Sequence, residues 1–507
     1  MKNTKQKLTA YFKSLNFSST VLVAAVIALV VFVNIIIYTL STVVPLGIQF
    51  SEEEDLTISD VGDYLFDNAI FSGKKVTVTF CSYEDVVSKH DTGELVYMTA
   101  KQFAEKYPEL IELEFINVIT KLDSNGKSVA EKLEVYENDE NVVIDSTSVI
   151  FSTETGYRVL TDRYTGAGYA DFYTLDDSMY ITSYNGEEVF ALSVMWALSD
   201  DHPTAYFTAG HGETADITMQ TILNAAGYNV KQIDLRHNDV PEDAGLLVIS
   251  KPIADFERAA EGASTSIITE YDRLKAYAKR GGKFYVVMDR FAKKLPVIEE
   301  FVAEFGIGYS ATEDGEKLIV KDDTNAITTD GFTLVADYAD SSVPAKMKDV
   351  ISRNTEESSP RVVLREAVAL ELSGNATPLL VSSSSSVCQA GGETVNSDGN
   401  YVLAAYSEKA NDVAENAKLF FMFESSVASG DAIITNGYSN KDFLYSLFDV
   451  AFDRDDLPYG CRTVLYNRQI LENLTMGTAR TYTVILLAIP VACAALGAVV
   501  MIRRKNR

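Results

Sequence analysis

Three short apolar runs constrain this 507-residue chain more than any other feature. Ala205–Thr208, Gly245–Ser250 (GLLVIS) and Lys283–Asp289 (KFYVVMD) carry little polar alternation, the pattern of strands in a sheet covered on both faces. Apolar spacing predicts helices over Thr214–Ala226, Thr265–Lys279 and Pro296–Phe305, with Gly227 and Arg280-Gly-Gly282 as stops. Strands are also expected at Asn229–Leu235 and Leu419–Glu424 (LFFMFE), and a helix from Asn440, as its cap, to Phe452. Strands alternating with helices predict an α/β fold with a doubly wound, Rossmann-like parallel core over residues 203–455. In such sheets a ligand crevice lies beyond the carboxyl ends of the strands. Three such ends are Gly210-His-Gly-Glu213, Lys251-Pro252 and Asp289-Arg290. Gly210, His211, Gly212, Glu213, Lys251, Asp289 and Arg290 are therefore the candidate crevice residues.

A second, N-terminal α/β domain is expected over residues 56–200. Ser59 reads as the cap of a helix over Asp60–Ile70 that Gly73 ends, followed by a strand at Lys75–Phe80. A helix from Thr99, as its cap, to Tyr107 leads to a strand at Leu110–Val118. Asn141–Ser152 and Tyr157–Leu160 read as β, and Gly186–Leu198 as a helix. The five-serine run Ser382–Ser386 reads as a flexible loop.

Two apolar segments, Val21–Leu40 and Tyr482–Ile502, are uncharged and about 20 residues long, enough for a helix to cross a hydrocarbon core. The first is longer than a signal-peptide core and lacks a clean small-residue cleavage site, so it reads as an uncleaved anchor. The second is followed by a basic cluster but preceded by no LPxTG-like signal, so it reads as a stable span. Lys2, Lys5, Lys7 and Lys13 precede the first, and Arg503, Arg504, Lys505 and Arg507 follow the second. The positive-inside rule then predicts cytoplasmic tails at 1–20 and 503–507, membrane helices at 21–40 and 481–502, and an extracytoplasmic region over about 41–480, with 456–480 as a juxtamembrane linker. Eight of the 44 basic residues lie in the two tails, so the stretch between them carries 36 against 72 acidic residues. Such a surface repels nucleic acid.

His211 and Glu213 are spaced to form an acid–base pair at a strand end, or to brace a turn made by Gly210 and Gly212. No GxSxG, GxGxxG or GxxxxGK[ST] pattern occurs, and no cysteine lies between residues 82 and 387. His90, His202 and His237 show no metal-ligand spacing, and Cys81, Cys388, Cys461 and Cys493 form no CxxC pair. No catalytic residue, metal or cofactor is assigned. Spacing leaves a Cys388–Cys461 bridge open.

Four stretches together resemble the gliding-motility-associated auxiliary components of ABC-type transport systems (GldG-type): Leu56-Thr-Ile-Ser59 with the helix and strand after it; Tyr184-Asn-Gly-Glu-Glu188; Ala205-Tyr-Phe-Thr-Ala-Gly-His-Gly-Glu213 with Leu247–Pro252 and Arg280–Lys283; and Ser439-Asn-Lys-Asp-Phe-Leu444. The resemblance implies a membrane-anchored extracytoplasmic subunit beside an ABC permease and its ATPase, with a core similar to class I glutamine-amidotransferase domains. The cysteine nucleophile of those enzymes follows a strand of the α/β core, and none stands there in this chain. The reading is therefore a non-catalytic subunit that binds a ligand or a partner. A surface hydrolase using His211 and Glu213, or a structural envelope or motility adaptor, are the alternatives.

Overall fold

The computed structural model describes residues 57–465 except 140–141, 162–167, 176–180, 214–216, 261–267, 355–360, 412–413, 425, 430–431, 434–437, 455–456 and 462. All of these described residues belong to one unit.

The first module is built from α1 (Val61–Ser72), β1 (Val76–Phe80), α2 (Gly93–Lys106), β2 (Ile111–Asn117), β3 (Leu122–Asp123), α3 (Ala130–Glu137), β4 (Val149–Ser152) and β5 (Tyr157–Leu160). The five strands form a sheet in the order β3-β2-β1-β4-β5, parallel only between β1 and β2. A hairpin of β6 (Tyr173–Leu175) and β7 (Ile181–Tyr184) leads into α4 (Gly186–Leu198), whose Phe190, Ala191 and Val194 pack into the module's core. Gly73 ends α1 in the left-handed region at φ 68, as expected. Two caps are not as expected. The cap residue of α1 is Asp60, which makes no side-chain cap bond; Ser59, one residue earlier, accepts from Val61 N at 3.3 Å and donates through N and Oγ to Glu187, at 2.6 and 2.5 Å. Thr99 is interior to α2, its hydroxyl 2.7 Å from that of Tyr184, because α2 begins at Gly93.

The second module contains β8 (Thr204–Thr208), α5 (Ile217–Ala225), β9 (Asn229–Ile233), β10 (Ala244–Ser250), α6 (Glu270–Lys279), β11 (Lys283–Val287) and α7 (Pro296–Ala303). A second run follows: β12 (Ile307–Tyr309), β13 (Ile319–Lys321), β14 (Thr333–Tyr338), α8 (Ser342–Asn354), β15 (Val362–Arg365), β16 (Leu370–Leu372) and β17 (Thr377–Val381). The module ends with β18 (Val387–Ala390), β19 (Glu393–Asn396), β20 (Val402–Lys409), β21 (Ala417–Met422) and α9 (Asn440–Phe452). Its main sheet has 11 strands, running β15-β14-β17-β20-β21-β11-β10-β8-β9, with β12 and β16 off this path.

The doubly wound parallel sheet is thus only half of the answer. Strands β21, β11, β10, β8 and β9 are parallel, while β20, β17, β14 and β15 continue the same sheet antiparallel. The parallel strands are apolar on both faces for the expected reason. Ala205, Phe207, Leu246 and Val248 face a core shared with α5, α8 and α9, whereas Tyr206, Leu247, Ile249 and Phe284 face one shared with α6 and α7. Asn440 is not the cap of α9. It is buried, accepting from Val363 N at 2.8 Å and donating to the carbonyls of Val363 and Val427.

The expectation of two membrane-spanning helices, and with it the placement of residues 41–480 outside a membrane, is corrected here. No helix among the described residues is long and apolar enough to cross a membrane. The longest, α2, has 14 residues, about 21 Å of rise against a hydrocarbon core of about 30 Å. The segments 21–40 and 481–502, both basic tails and Cys493 lie outside the described residues.

Candidate functional site

The Gly-His-Gly-Glu turn follows β8 directly. Gly210 and Gly212 take φ of 114 and 79°, where side chains are disfavoured. A Cβ on Gly210 would stand 2.7 Å from Arg236 Nη2. Between them His211 is turned inward and is 3% exposed. Its Nδ1 lies 2.9 Å from Glu213 Oε1 and its Nε2 2.9 Å from Glu270 Oε2. With both carboxyl groups ionised their oxygens can only accept, so both ring nitrogens donate and the ring is an imidazolium. The ring stacks on Phe256 at 3.9 Å between centroids.

The carboxylates are themselves held. Glu213 accepts from Thr208 Oγ1 at 2.9 Å and from His211 N at 2.7 Å, and Glu270 accepts from Glu257 N at 2.7 Å. The His211 carbonyl accepts from Ile253 N and Ala254 N, both at 2.8 Å. Burial alone would lower the histidine's pKa, but the two carboxylates outweigh it and raise the pKa above the ordinary value. Burial likewise pushes Glu213 up, and its bonds to His211 and to backbone N–H groups bring it below the usual carboxylate range. The result is a buried carboxylate–imidazolium–carboxylate clamp joining the ends of β8 and β10 to the start of α6.

The other candidate residues are arranged around strand ends without entering the clamp's own bonds. Lys251 stands in the left-handed region at φ 55 and its N–H donates to the Val287 carbonyl of the neighbouring strand. Asp289 accepts from Phe291 N at 2.7 Å. Arg290 pairs with Glu366 at 2.6 Å and lies over the Phe291 ring at 3.9 Å.

Glu270 and Phe256 escape a reading by strand ends. A signal for Glu270 exists: Thr269 and Asp272 form a reciprocal capping box, which fixes the helix start at Glu270 rather than Thr265. Glu424, at the carboxyl end of β21, is also buried and accepts backbone N–H bonds from Arg365, Ser426 and Val427 at 2.8–3.0 Å. Burial nevertheless holds its pKa up.

A second buried network joins the modules. Glu187 receives Ser59, and its neighbour Glu188 pairs with Lys441 at 2.6 Å and accepts from the Tyr445 hydroxyl. Three of the stretches that carry the family resemblance therefore meet at adjacent residues of α4. Cys461 packs into the same region, and its thiol, like those of Cys81 and Cys388, is free and buried. The open bridge between Cys388 and Cys461 is not formed.

No family model matches the chain, and no curated protein matches it. Solved structures give partial likenesses. The mmIFT52 N-terminal domain is 17% identical over 48% of this chain and 96% of its own, with a TM-score of 0.35. PurLQS from Thermotoga maritima is 11% identical over 49% of this chain and 98% of its own, with a TM-score of 0.28. A glutamine amidotransferase from Thermotoga maritima is 11% identical over 49% and 84%, with a TM-score of 0.26. Scores of this size carry no argument about activity, ligand or partner.

Proposed function

We propose that the chain is a non-catalytic auxiliary subunit of an ABC-type transport system, binding a ligand or a partner beside a permease and an ATPase. The observation that carries the non-catalytic part is the clamp. A general base needs a ring nitrogen with a free lone pair, and a metal ligand needs the same. Both nitrogens of His211 are donors to carboxylates that are themselves fixed. The arrangement supports a brace over the hydrolase alternative. Burial raises the thiol pKa of Cys81, Cys388 and Cys461, which speaks against a cysteine nucleophile among the described residues.

The transport part rests on the resemblance, and the meeting of Ser59, Glu187, Glu188 and Lys441 in one network gives that pattern a physical reason. Affinity purification of the tagged full chain from its native cells, with mass spectrometry of what accompanies it, tests this. An ABC ATPase and a permease are expected in stoichiometric yield. Their absence from both crosslinked and uncrosslinked preparations refutes the transport reading. Retention of function by His211→Gln and Glu213→Gln variants is expected, and loss of function in variants that still fold refutes the non-catalytic reading.

A further inference from the structure

One open space in this molecule lies away from the carboxyl edge of the parallel strands. A cavity of about 360 Å³ lies at their amino edge, where α1 and α4 of the first module face the second. His202 and Gly227, just before β8 and β9, line it, and His211 stands beyond the other end of β8. The volume falls in the usual range for small-molecule sites, which favour the seams between domains.

Its lining is chemically unlike the rest of the chain. Among the described residues Lys74, His202 and Arg454 line it and no acidic residue does, in a chain with 72 acidic against 44 basic residues. Leucines and a methionine of α1 and α4 supply an apolar wall. Gly227, at φ 80, makes room for Arg454, whose Nη2 lies 2.4 Å from where a Cβ would be. Arg454 is steadied by a bond from Nε to the Ala226 carbonyl at 3.1 Å and by the Tyr228 ring at 5.2 Å.

Two buried side-chain nitrogens nearby have no hydrogen-bond partner among the described residues: His202 Nδ1 and Arg158 Nη1. Both side chains pack on Trp196, which also lines the cavity. The His202 ring stacks at 4.0 Å, and the Arg158 guanidinium lies 5.1 Å from the ring centre. Buried polar atoms left unpaired in a folded protein call for an explanation, and a ligand is one.

We propose that this cavity binds a small organic anion, a carboxylate or phosphate ester with an apolar body, its charged end held by Arg454, Lys74 and His202 and its body against Trp196 and the leucine wall. The proposal does not depend on the transport reading.

Trp196 is the chain's sole tryptophan, so its fluorescence reports on the site directly. The purified full chain is titrated with hexanoate, phenyl phosphate and the neutral hexan-1-ol, with calorimetry in parallel. A saturable response to at least one anion is expected, with affinity about tenfold or more above hexan-1-ol, and the stronger anion distinguishes carboxylate from phosphate. Lys74→Gln and Arg454→Gln each weaken that anion by about tenfold, the usual effect of losing a charge-assisted hydrogen bond. Should Arg454→Gln fail to fold by circular dichroism, Lys74→Gln, on an exposed residue, carries the comparison. Hexan-1-ol binding as tightly as the anions overturns the proposal. So does the absence of both a fluorescence change and heat up to millimolar probe, or wild-type affinity in Lys74→Gln.

Discussion

Replacing His211 with alanine tests the clamp directly. The substitution removes the cation between two carboxylates whose side chains are 6% and 1% exposed, and Glu270 Oε1 already lacks a partner among the described residues. Deleting one member of a buried ionic pair costs about 3–5 kcal/mol. Loss of the Phe256 stack adds about 0.5–1.5 kcal/mol. The expected loss is about 4–6 kcal/mol, against a total stability of about 5–15 kcal/mol for a typical domain, and a fall in Tm of about 10 °C or more.

The pH dependence has a defined sign. Glu213 titrates below its ordinary 4.5, so its contribution is present above that pH and is lost as pH falls through the lower folded value. His211 titrates above its ordinary 6.5, so its contribution is complete below that pH and is lost as pH rises through the higher folded value. Both are in force between pH 4.5 and 6.5, where the gap between wild type and His211→Ala is greatest. Urea denaturation followed by circular dichroism across this range measures it. A gap below about 1 kcal/mol, the size of an ordinary substitution, or a gap that does not change with pH, refutes the imidazolium clamp.

Three further outcomes follow from the geometry. Lys441→Met strands Glu188, whose side chain is 9% exposed, and costs about 3–5 kcal/mol; scanning calorimetry is expected to show the two modules melting separately, and a single unshifted transition argues against the coupling. Gly210→Ala meets both a φ of 114° and Arg236, so it destabilises more than Gly212→Ala, whose φ is 79° and whose Cβ neighbour, Ile253, is 3.3 Å away; the strain scale is about 1–3 kcal/mol, and equal thermal shifts for the two contradict it. Burial lifts the Cys388 thiol to about 11 and the Cys81 thiol to about 12. In a Cys493→Ser chain, Ellman's reagent is therefore expected to react only after denaturation, and rapid colour from the folded chain would show the thiols to be accessible.

The parallel half of the large sheet was legible because its signals are local. Gly186–Leu198 is a helix over the residues that its spacing predicts, and each of the strands β8, β10 and β11 falls within a residue or two of its apolar run. The antiparallel half was not. Its strands β12 and β16 have three residues each and pair across a long separation, Ile307 with Leu372, so neither carries a pattern of its own. The serine run shows the limit of composition. Ser382 and Ser386 are buried, Ser385 Oγ donates to Asp322 at 3.2 Å and Tyr401 N to Ser382 Oγ at 2.9 Å. Distant partners fix a stretch that composition reads as flexible. At the site, His211 was visible from its flanking glycines, but the second carboxylate comes from 59 residues away and only the capping box marks where it sits.

The first module is completed by residues that follow the second. A last short strand, β22 (Val464–Leu465), pairs with Tyr184 and Ser183 of β7, and Tyr459 N donates to the Tyr64 hydroxyl at 2.8 Å, across 395 positions. At ribosomal rates of about 5–20 residues per second, about 20–80 s separate the synthesis of these two partners. During that interval the contacts α1 makes with residues 457–459 do not exist, although the strands of the first sheet have all been made. The large module's last helix, α9, ends at Phe452, only a few residues before these, so both cores are completed by the end of the chain. The nascent first module is thus a species whose core stays open until the end of the chain has been made.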